Sequence, residues 1–119
     1  MAVTYTTAVK TARITASRDY HANGTLEILT AADAVLATFV LNASGGNIAG
    51  AVWTLIFDAS TVAATGSGTA AKAQIKNSGG TVGISGLTVG TSGTDIVLDS
   101  ASITSGQNIT LSSATITHA

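Results

Sequence analysis

The residues with the widest chemical range in this sequence are its two histidines, His21 and His118. A Ser-His-Asp triad needs a histidine held in the body of the fold and a serine on a strained turn. His118 is the penultimate residue, and neither residues 83–86 nor residues 90–93 match the turn that presents a nucleophilic serine. His21 ends a segment with helical spacing, where a cation favours the helix dipole. We therefore expect structural roles for both histidines and no catalytic residue.

The acidic side chains offer little more chemistry. A glycosidase needs two carboxylates that flank one cleft. Asp95 and Asp99 lie four residues apart, which on a strand rising about 3.3 Å per residue separates them by about 13 Å. We expect them to mark the ends of a short strand and to accept hydrogen bonds from turn amides. A calcium site that combines them with loop carbonyls is the alternative, because calcium binds oxygen ligands. The other acidic residues are scattered: Asp19, Glu27, Asp33 and Asp58.

Composition argues against several classes of partner. The chain has five basic and six acidic residues and a net charge of −1, so it lacks the basic stripe that binds nucleic acid or anionic membrane surfaces. Its longest apolar stretches, residues 34–41 and 48–57, are shorter than the roughly 20 residues that span a bilayer. The first residues lack the charged start and apolar run of a secretory signal. Since there is no cysteine, disulfides and thiolate metal sites are excluded, and we expect no cofactor.

The scarcity of charge is itself informative. Charged residues make up 9% of the 119-residue chain, against about 25% in typical soluble domains. Too few charges are present to coat a monomer of this size with the usual mixed-sign surface. We therefore expect part of the exterior to be covered by neighbours, in an oligomer or a larger assembly.

The N-terminal segment differs from the rest of the chain. Residues 6–23 contain no glycine, and apolar side chains recur on one helical face at Val9, Ala12, Ala16 and Tyr20. Thr6 or Thr7 can serve as the N-cap, and Gly24 lies where a left-handed C-terminal residue is expected. The sequence predicts a helix here, while a strand over residues 10–17 is the rival interpretation.

After Gly24 the sequence predicts strands and turns throughout. Seven or eight short strands at a spacing of about 8–12 residues are typical of an antiparallel β-sandwich or barrel. We interpret residues 1–119 as a single domain, with an N-terminal helical or arm segment (1–24) and a β-sandwich (25–119). We predict loops at residues 42–50 and 58–68, a hairpin turn at residues 77–80, and bulges or bends at Gly83 and Gly86.

The most apolar predicted strand is Val52–Phe57, which we expect to be central and covered on both faces. Trp53, Leu55 and Phe57 share one of its faces, so core packing is the preferred interpretation. An exposed Trp53 that stacks on a sugar is the alternative. Tyr5 and Tyr20 either pack the helix on the sandwich or meet a partner.

Several turn-and-strand motifs resemble a known group of proteins. They are GLTVGTSGTDIVLDS at residues 86–100, ITSGQNITL at 103–111 and the ending TITH at 115–118. Earlier come Thr11-Ala12-Arg13, a glycine before Leu26-Glu27-Ile28, and VLATF at 35–39. Together they resemble small proteins encoded among the virion genes of tailed bacteriophages. This chain departs from that group at Leu29, where the relatives tend to have an aromatic residue. The resemblance implies a structural component of the virion and supplies no catalytic residue.

The first hypothesis is therefore a capsid decoration (cement) or minor head protein, made in the bacterial host cytoplasm and incorporated into the virion. Its expected partners are the major capsid protein, other virion proteins and copies of itself, in an oligomer such as a trimer, without nucleic acid or membrane. The expected contact residues are Tyr5, Tyr20, Asn42, Asn47 and Thr65. The alternatives are a tail fibre, tip or baseplate component that binds a host-surface glycan, a carbohydrate-binding module and, least favoured, an enzyme.

Overall fold

The computed structural model describes residues 5–117. The helix α1 (Thr7–His21) comes first, and ten strands follow: β1 (Thr25–Leu29), β2 (Val35–Ala49), β3 (Val52–Phe57), β4 (Thr61–Ala63), β5 (Gly68–Thr69), β6 (Lys72–Lys76), β7 (Val82–Gly90), β8 (Ile96–Leu98), β9 (Ser102–Ile103) and β10 (Asn108–Thr117). The predicted mainly β fold with an N-terminal helix is confirmed. The rival strand over residues 10–17 is wrong, because these residues lie within α1.

Seven strands close into a barrel. They run in the order β3-β2-β1-β6-β7-β8-β10, and β10 pairs back onto β3 to complete the ring. The eighth strand of this sheet, β4, also pairs with β10, while β5 and β9 form a separate two-stranded sheet. All described pairs are antiparallel except β7 with β8, which is parallel, so the barrel is mixed.

The core fills the barrel because side chains alternate between its two faces. On β1, Leu26 and Ile28 are fully buried, and Thr25 and Glu27 between and beside them are half-buried. The β6 partners of the two buried side chains, Ile75 and Ala73, are buried with them. The largest fully buried side chains come from six strands and form one cluster: Trp53, Phe39, Leu26, Ile28, Leu36, Leu41, Ile75, Ile96, Leu98 and Ile109.

Helix α1 begins as the sequence predicts and ends differently. The Thr6 hydroxyl accepts a hydrogen bond from the Val9 amide at 3.3 Å, which makes Thr6 the N-cap. At the other end the left-handed residue is Asn23, with φ of 62°, and not Gly24. Gly24 serves a different purpose, since a Cβ there would overlap the Lys76 carbonyl group of β6. The glycine therefore permits close approach of the chain to the barrel.

Two of the predicted loops contain strands. Residues 42–50 were expected to form a loop, but β2 continues to Ala49, and its register against β3 shifts between Leu41 and Gly46. Residues 58–68 were also expected to form a loop, but they contain β4 and the start of β5. In both segments hydrogen bonds to distant strands outweigh the weak strand preference of small residues.

The strand β3 is not covered on both faces as predicted. Trp53 and Leu55 are buried, whereas Thr54 and Ile56 between them are exposed. The strand therefore has one face in the core and one face toward solvent, which is typical of a barrel wall.

The hairpin between β6 and β7 confirms its predicted turn chemistry. The Asn77 side chain accepts hydrogen bonds from the amides of Gly79 and Thr81, both at 3.0 Å. Pairing of β6 with β7 then skips residues at two places, next to Gly83 and next to Gly86. Both glycines thus lie at bulges, as predicted.

Candidate interaction surface

Helix α1 packs on the barrel with a largely polar face. One stripe of the helix, at spacings of three and four residues, carries Thr7, Thr11, Ile14, Arg18 and His21. The Thr11 hydroxyl donates to the carbonyl oxygen of Gly50 at the tip of the β2–β3 hairpin, and Ile14 is buried. A Cβ at Gly45 of β2 would lie 2.9 Å from the Arg18 side chain, so β2 and α1 touch closely there.

The opposite face of α1 is apolar and exposed. It consists of Val9, Ala12, Ala16 and Tyr20, and we call these four residues the outer face of α1. All four are exposed, Val9 at 42% and Tyr20 at 55%. A helix on a soluble domain normally turns its apolar stripe toward the core. Here the sequence predicted the shared face correctly, and the structure shows that it is exposed. The Tyr20 ring at one end of this face also contacts His21 and lies near Gly83 of β7.

Tyr5 extends this region at the start of the helix. Its ring is 42% exposed, and the Arg13 guanidinium lies over it at 4.6 Å from the centroid. A cation above a tyrosine ring gives a modest stabilisation. Of the two open roles, packing on the barrel applies in part to Tyr20, whose ring contacts His21 and lies near Gly83 of β7. Contact of Tyr5 and Tyr20 with a partner stays a prediction.

His21 closes one end of the barrel. It is 2% exposed, and its Nδ1 lies 2.7 Å from the Ser17 carbonyl oxygen. Since a carbonyl oxygen accepts, Nδ1 carries the hydrogen in this contact. The ring lies 6.1 Å from the Trp53 ring and meets Tyr20 edge-on at 4.8 Å. Nε2 has no hydrogen-bond partner within the described residues and faces Gly83 of β7. His21 thus ends the helix, as predicted, and its side chain is buried.

The acidic side chains are engaged separately, in structural contacts. Asp95 Oδ2 accepts a hydrogen bond from the Thr88 amide and Asp99 Oδ1 accepts one from the Thr110 amide, both at 3.1 Å. Their predicted role of holding backbone amides is confirmed, although these amides belong to strands β7 and β10 and not to turns. Among residues 5–117 no group of three His, Asp or Glu side chains is placed to hold a metal ion.

Three further carboxylates form ion pairs on the outside of the barrel or the helix. Glu27 Oε1 accepts from Gln74 Nε2 at 2.7 Å and pairs with Lys76 Nζ at 3.1 Å. Asp33 pairs with Lys72 at 2.6 Å, beside a shallow cavity of about 320 Å³ that Leu29 and Gln74 also line. Asp19 pairs with the adjacent Arg18. The charged side chains that line the cavity, Asp33 and Lys72, are therefore paired with each other.

Trp53 is not available as a sugar-stacking platform. It is fully buried, and its Nε1–H donates to the Gly45 carbonyl oxygen at 2.9 Å. Phe57 is half-buried and packs edge-on against Phe39, with ring centroids 5.8 Å apart. The alternative of an exposed Trp53 is wrong, and the predicted core packing of this face is confirmed.

The remaining predicted contact residues lie at different places. Asn42 is half-buried, and its side-chain oxygen accepts hydrogen bonds from Ser44 and Gly45, so it shapes the bulge of β2. Asn47 is exposed near the end of β2, on the β2–β3 hairpin that α1 contacts through Thr11. Thr65 is exposed between β4 and β5, where its amide donates to the Leu36 carbonyl oxygen. Asn42 and Asn47 therefore share the helix–hairpin region, whereas Thr65 belongs to a separate part of the barrel wall.

Comparisons with known proteins add no relative. No family model, curated protein or solved structure matches this chain. In the part of the chain that the structure describes, no helix is long and apolar enough to cross a membrane.

Proposed function

We propose that this chain is a structural protein of a bacteriophage virion, a capsid decoration or minor head protein that stabilises the shell by packing against it. The observation that carries the proposal is the outer face of α1, an apolar helix face that is exposed. The resemblance of the turn-and-strand motifs to virion proteins of tailed phages supports the same role. In this proposal the chain has no catalytic role.

The proposed mechanism is adhesion by many small interfaces. A helix face about 22 Å long, at 1.5 Å per residue over 15 residues, is too small by itself to match a standard interface of about 800 Å² per partner. On a shell that repeats the same site, each copy adds a modest contact, and simultaneous engagement raises the total binding strength. The low charge fits this role because few ionic side chains must be desolvated when copies pack closely.

The proposal can be tested by placing a charge on the outer face of α1. Ala16→Glu adds a charge to the centre of the outer face of α1, while the exposed side chain leaves the barrel core untouched. The matched control is Ala31→Glu, which places the same charge at an exposed alanine in the β1–β2 turn. In particles assembled with each variant, we expect Ala16→Glu to lower incorporation at least about tenfold and Ala31→Glu to leave it unchanged.

The copy number per virion distinguishes a head protein from a tail protein. Quantitative mass spectrometry of purified virions is expected to find hundreds of copies per particle. A handful of copies would instead indicate a tail fibre or baseplate component. Absence from the purified virion would refute the structural role altogether.

A further inference from the structure

The strand β7 has an unpaired edge. It pairs with β6 between Val82 and Thr88, but with β8 only at Val89 and Gly90. Within residues 5–117 no other strand pairs with β7. The edge of residues 82–86 that faces away from β6 is therefore open, and we call it the β7 edge.

The backbone of the β7 edge presents hydrogen-bonding groups outward. The Asn77 amide donates to the Thr81 carbonyl oxygen at 2.9 Å, so these two residues form a hydrogen-bonded pair. Hydrogen-bonded and non-bonded pairs alternate in an antiparallel ladder. The next pair, Lys76 with Val82, is thus non-bonded, and the N–H and C=O groups of Val82 point away from β6.

At Thr88, toward the other end of β7, a side chain satisfies the backbone groups that point away from β6. The Thr88 amide donates to Asp95 Oδ2 at 3.1 Å, and the Asp95 amide donates to the Thr88 hydroxyl at 3.0 Å. Asp95 thereby takes the place of a neighbouring strand at that position. Among the described residues no side chain does the same at Val82.

Of the features that protect natural edges against strand pairing, the β7 edge has the two bulges at Gly83 and Gly86 but no charged residue and no proline. Natural edges are commonly guarded by lysine, proline or inward-pointing charge. No charged residue or proline occurs between Lys76 and Asp95. Gly83, Ser85 and Gly86 are small and exposed, and Val82 is 43% exposed. The rings of His21 and Tyr20 lie against one side of Gly83, so the edge is most accessible at Val82, Ser85 and Gly86.

We propose that the β7 edge pairs with the same edge of a second copy of this chain, antiparallel and about a two-fold axis. Identical segments present identical charges to each other, and like charges on facing strands are destabilising. A neutral edge fits a second copy for that reason, and a two-fold axis lets each copy satisfy the other and closes the assembly. The pairing joins two barrels through one continuous sheet.

The bulges at Gly83 and Gly86 limit this pairing to a few residues, because bulges twist the strand locally. The dimer is accordingly weak and concentration-dependent. It does not depend on the proposed virion role, since it uses a different surface from the outer face of α1.

The test is sedimentation velocity over a concentration series. Ser85 is one residue from the middle of the β7 edge, so Ser85→Lys brings two like charges close to the two-fold axis. The control is Ser112→Lys, at an exposed serine of β10. We expect the wild-type chain and Ser112→Lys to dimerise alike, and Ser85→Lys to raise the dissociation constant at least about tenfold.

Cross-linking covers the case in which Ser85→Lys does not fold. The chain has no cysteine, so Ser85→Cys and Ser112→Cys each provide a single reactive site for a short bis-maleimide. A covalent dimer is expected from Ser85→Cys and not from Ser112→Cys. A wild-type chain that stays monomeric up to its solubility limit, or equal cross-linking of both variants, would overturn the proposal.

Discussion

The close contact of His21 with Gly83 leads to a sharp stability prediction. A Cβ added at Gly83 would overlap His21 Nε2, lie 2.9 Å from the Cε1 atom of that ring and lie 3.2 Å from a ring carbon of Tyr20. Ordinary Cβ contacts begin at about 3.4 Å. The ring cannot simply swing away, because it is 2% exposed and its Nδ1–H is bonded to Ser17. Gly83→Ala therefore forces the end of α1 outward.

We expect Gly83→Ala to lower the free energy of unfolding by about 2 kcal/mol, within the usual cost of overpacking a buried site. For a domain of this size that lowers Tm by roughly 8 °C or more. Trp53 is the single tryptophan and lies beside His21, so its fluorescence during urea unfolding reports directly on this end of the barrel.

Two further variants identify the cause. Gly79→Ala, in the same hairpin, meets only the Asn77 side chain at 3.3 Å and is the matched control. In a double mutant, His21→Ala removes the ring that Gly83→Ala strikes. The two changes should therefore be less harmful together than their sum, by about 1 kcal/mol or more. Strictly additive effects, or equal destabilisation by Gly83→Ala and Gly79→Ala, would refute the steric explanation.

Three other substitutions test the contacts that hold the barrel together. Trp53→Phe leaves the buried Gly45 carbonyl oxygen without its 2.9 Å donor and should cost about 2 kcal/mol in thermal unfolding. Glu27→Ala removes a carboxylate that is 13% exposed and holds two partners, so we expect a loss of about 1–2 kcal/mol. Asp33→Asn removes the charge of a carboxylate that is 71% exposed and keeps a residue type that tolerates the left-handed φ of 68° there, so its loss should stay below about 0.5 kcal/mol and vanish in high salt. A larger effect of Asp33→Asn than of Glu27→Ala would contradict this ranking by burial.

Local signals in the sequence were enough to predict the features that depend on near neighbours. The N-cap at Thr6 and the turn closed by Asn77 involve partners within four residues. The bulges at Gly83 and Gly86 follow from glycine interrupting an otherwise alternating strand. The barrel or sandwich class followed from the number and spacing of such segments.

Features that depend on distant partners were missed. The course of β2 through Gly45 and Gly46, with φ of 77° and 125°, resembles a loop in sequence and is held as a strand by β3. The short strand β4 exists because β10 pairs with it.

The candidate interaction surface was predicted only in part, for the same reason. Helical spacing predicted that Val9, Ala12, Ala16 and Tyr20 share a face, but not which way that face points. The opposite, largely polar stripe turns inward because the hairpin tip offers the Gly50 carbonyl oxygen to Thr11 and the barrel end accommodates His21. No pattern within the helix reveals these two contacts. The Gly50 carbonyl oxygen lies 39 residues from Thr11 in the sequence, and the space for His21 exists only once the barrel has closed.

The position of β10 in the chain has a consequence for how the protein is made. This last strand joins β8 on one side and both β3 and β4 on the other. The barrel therefore cannot close before β10 has been synthesised, and until then β3 and β8 each lack one of their two neighbouring strands. Contacts so distant in sequence form slowly, and unpaired strands in unfinished chains promote aggregation. Truncated chains that lack residues 108–117 should therefore accumulate as insoluble material, whereas chains that contain β10 can close the barrel.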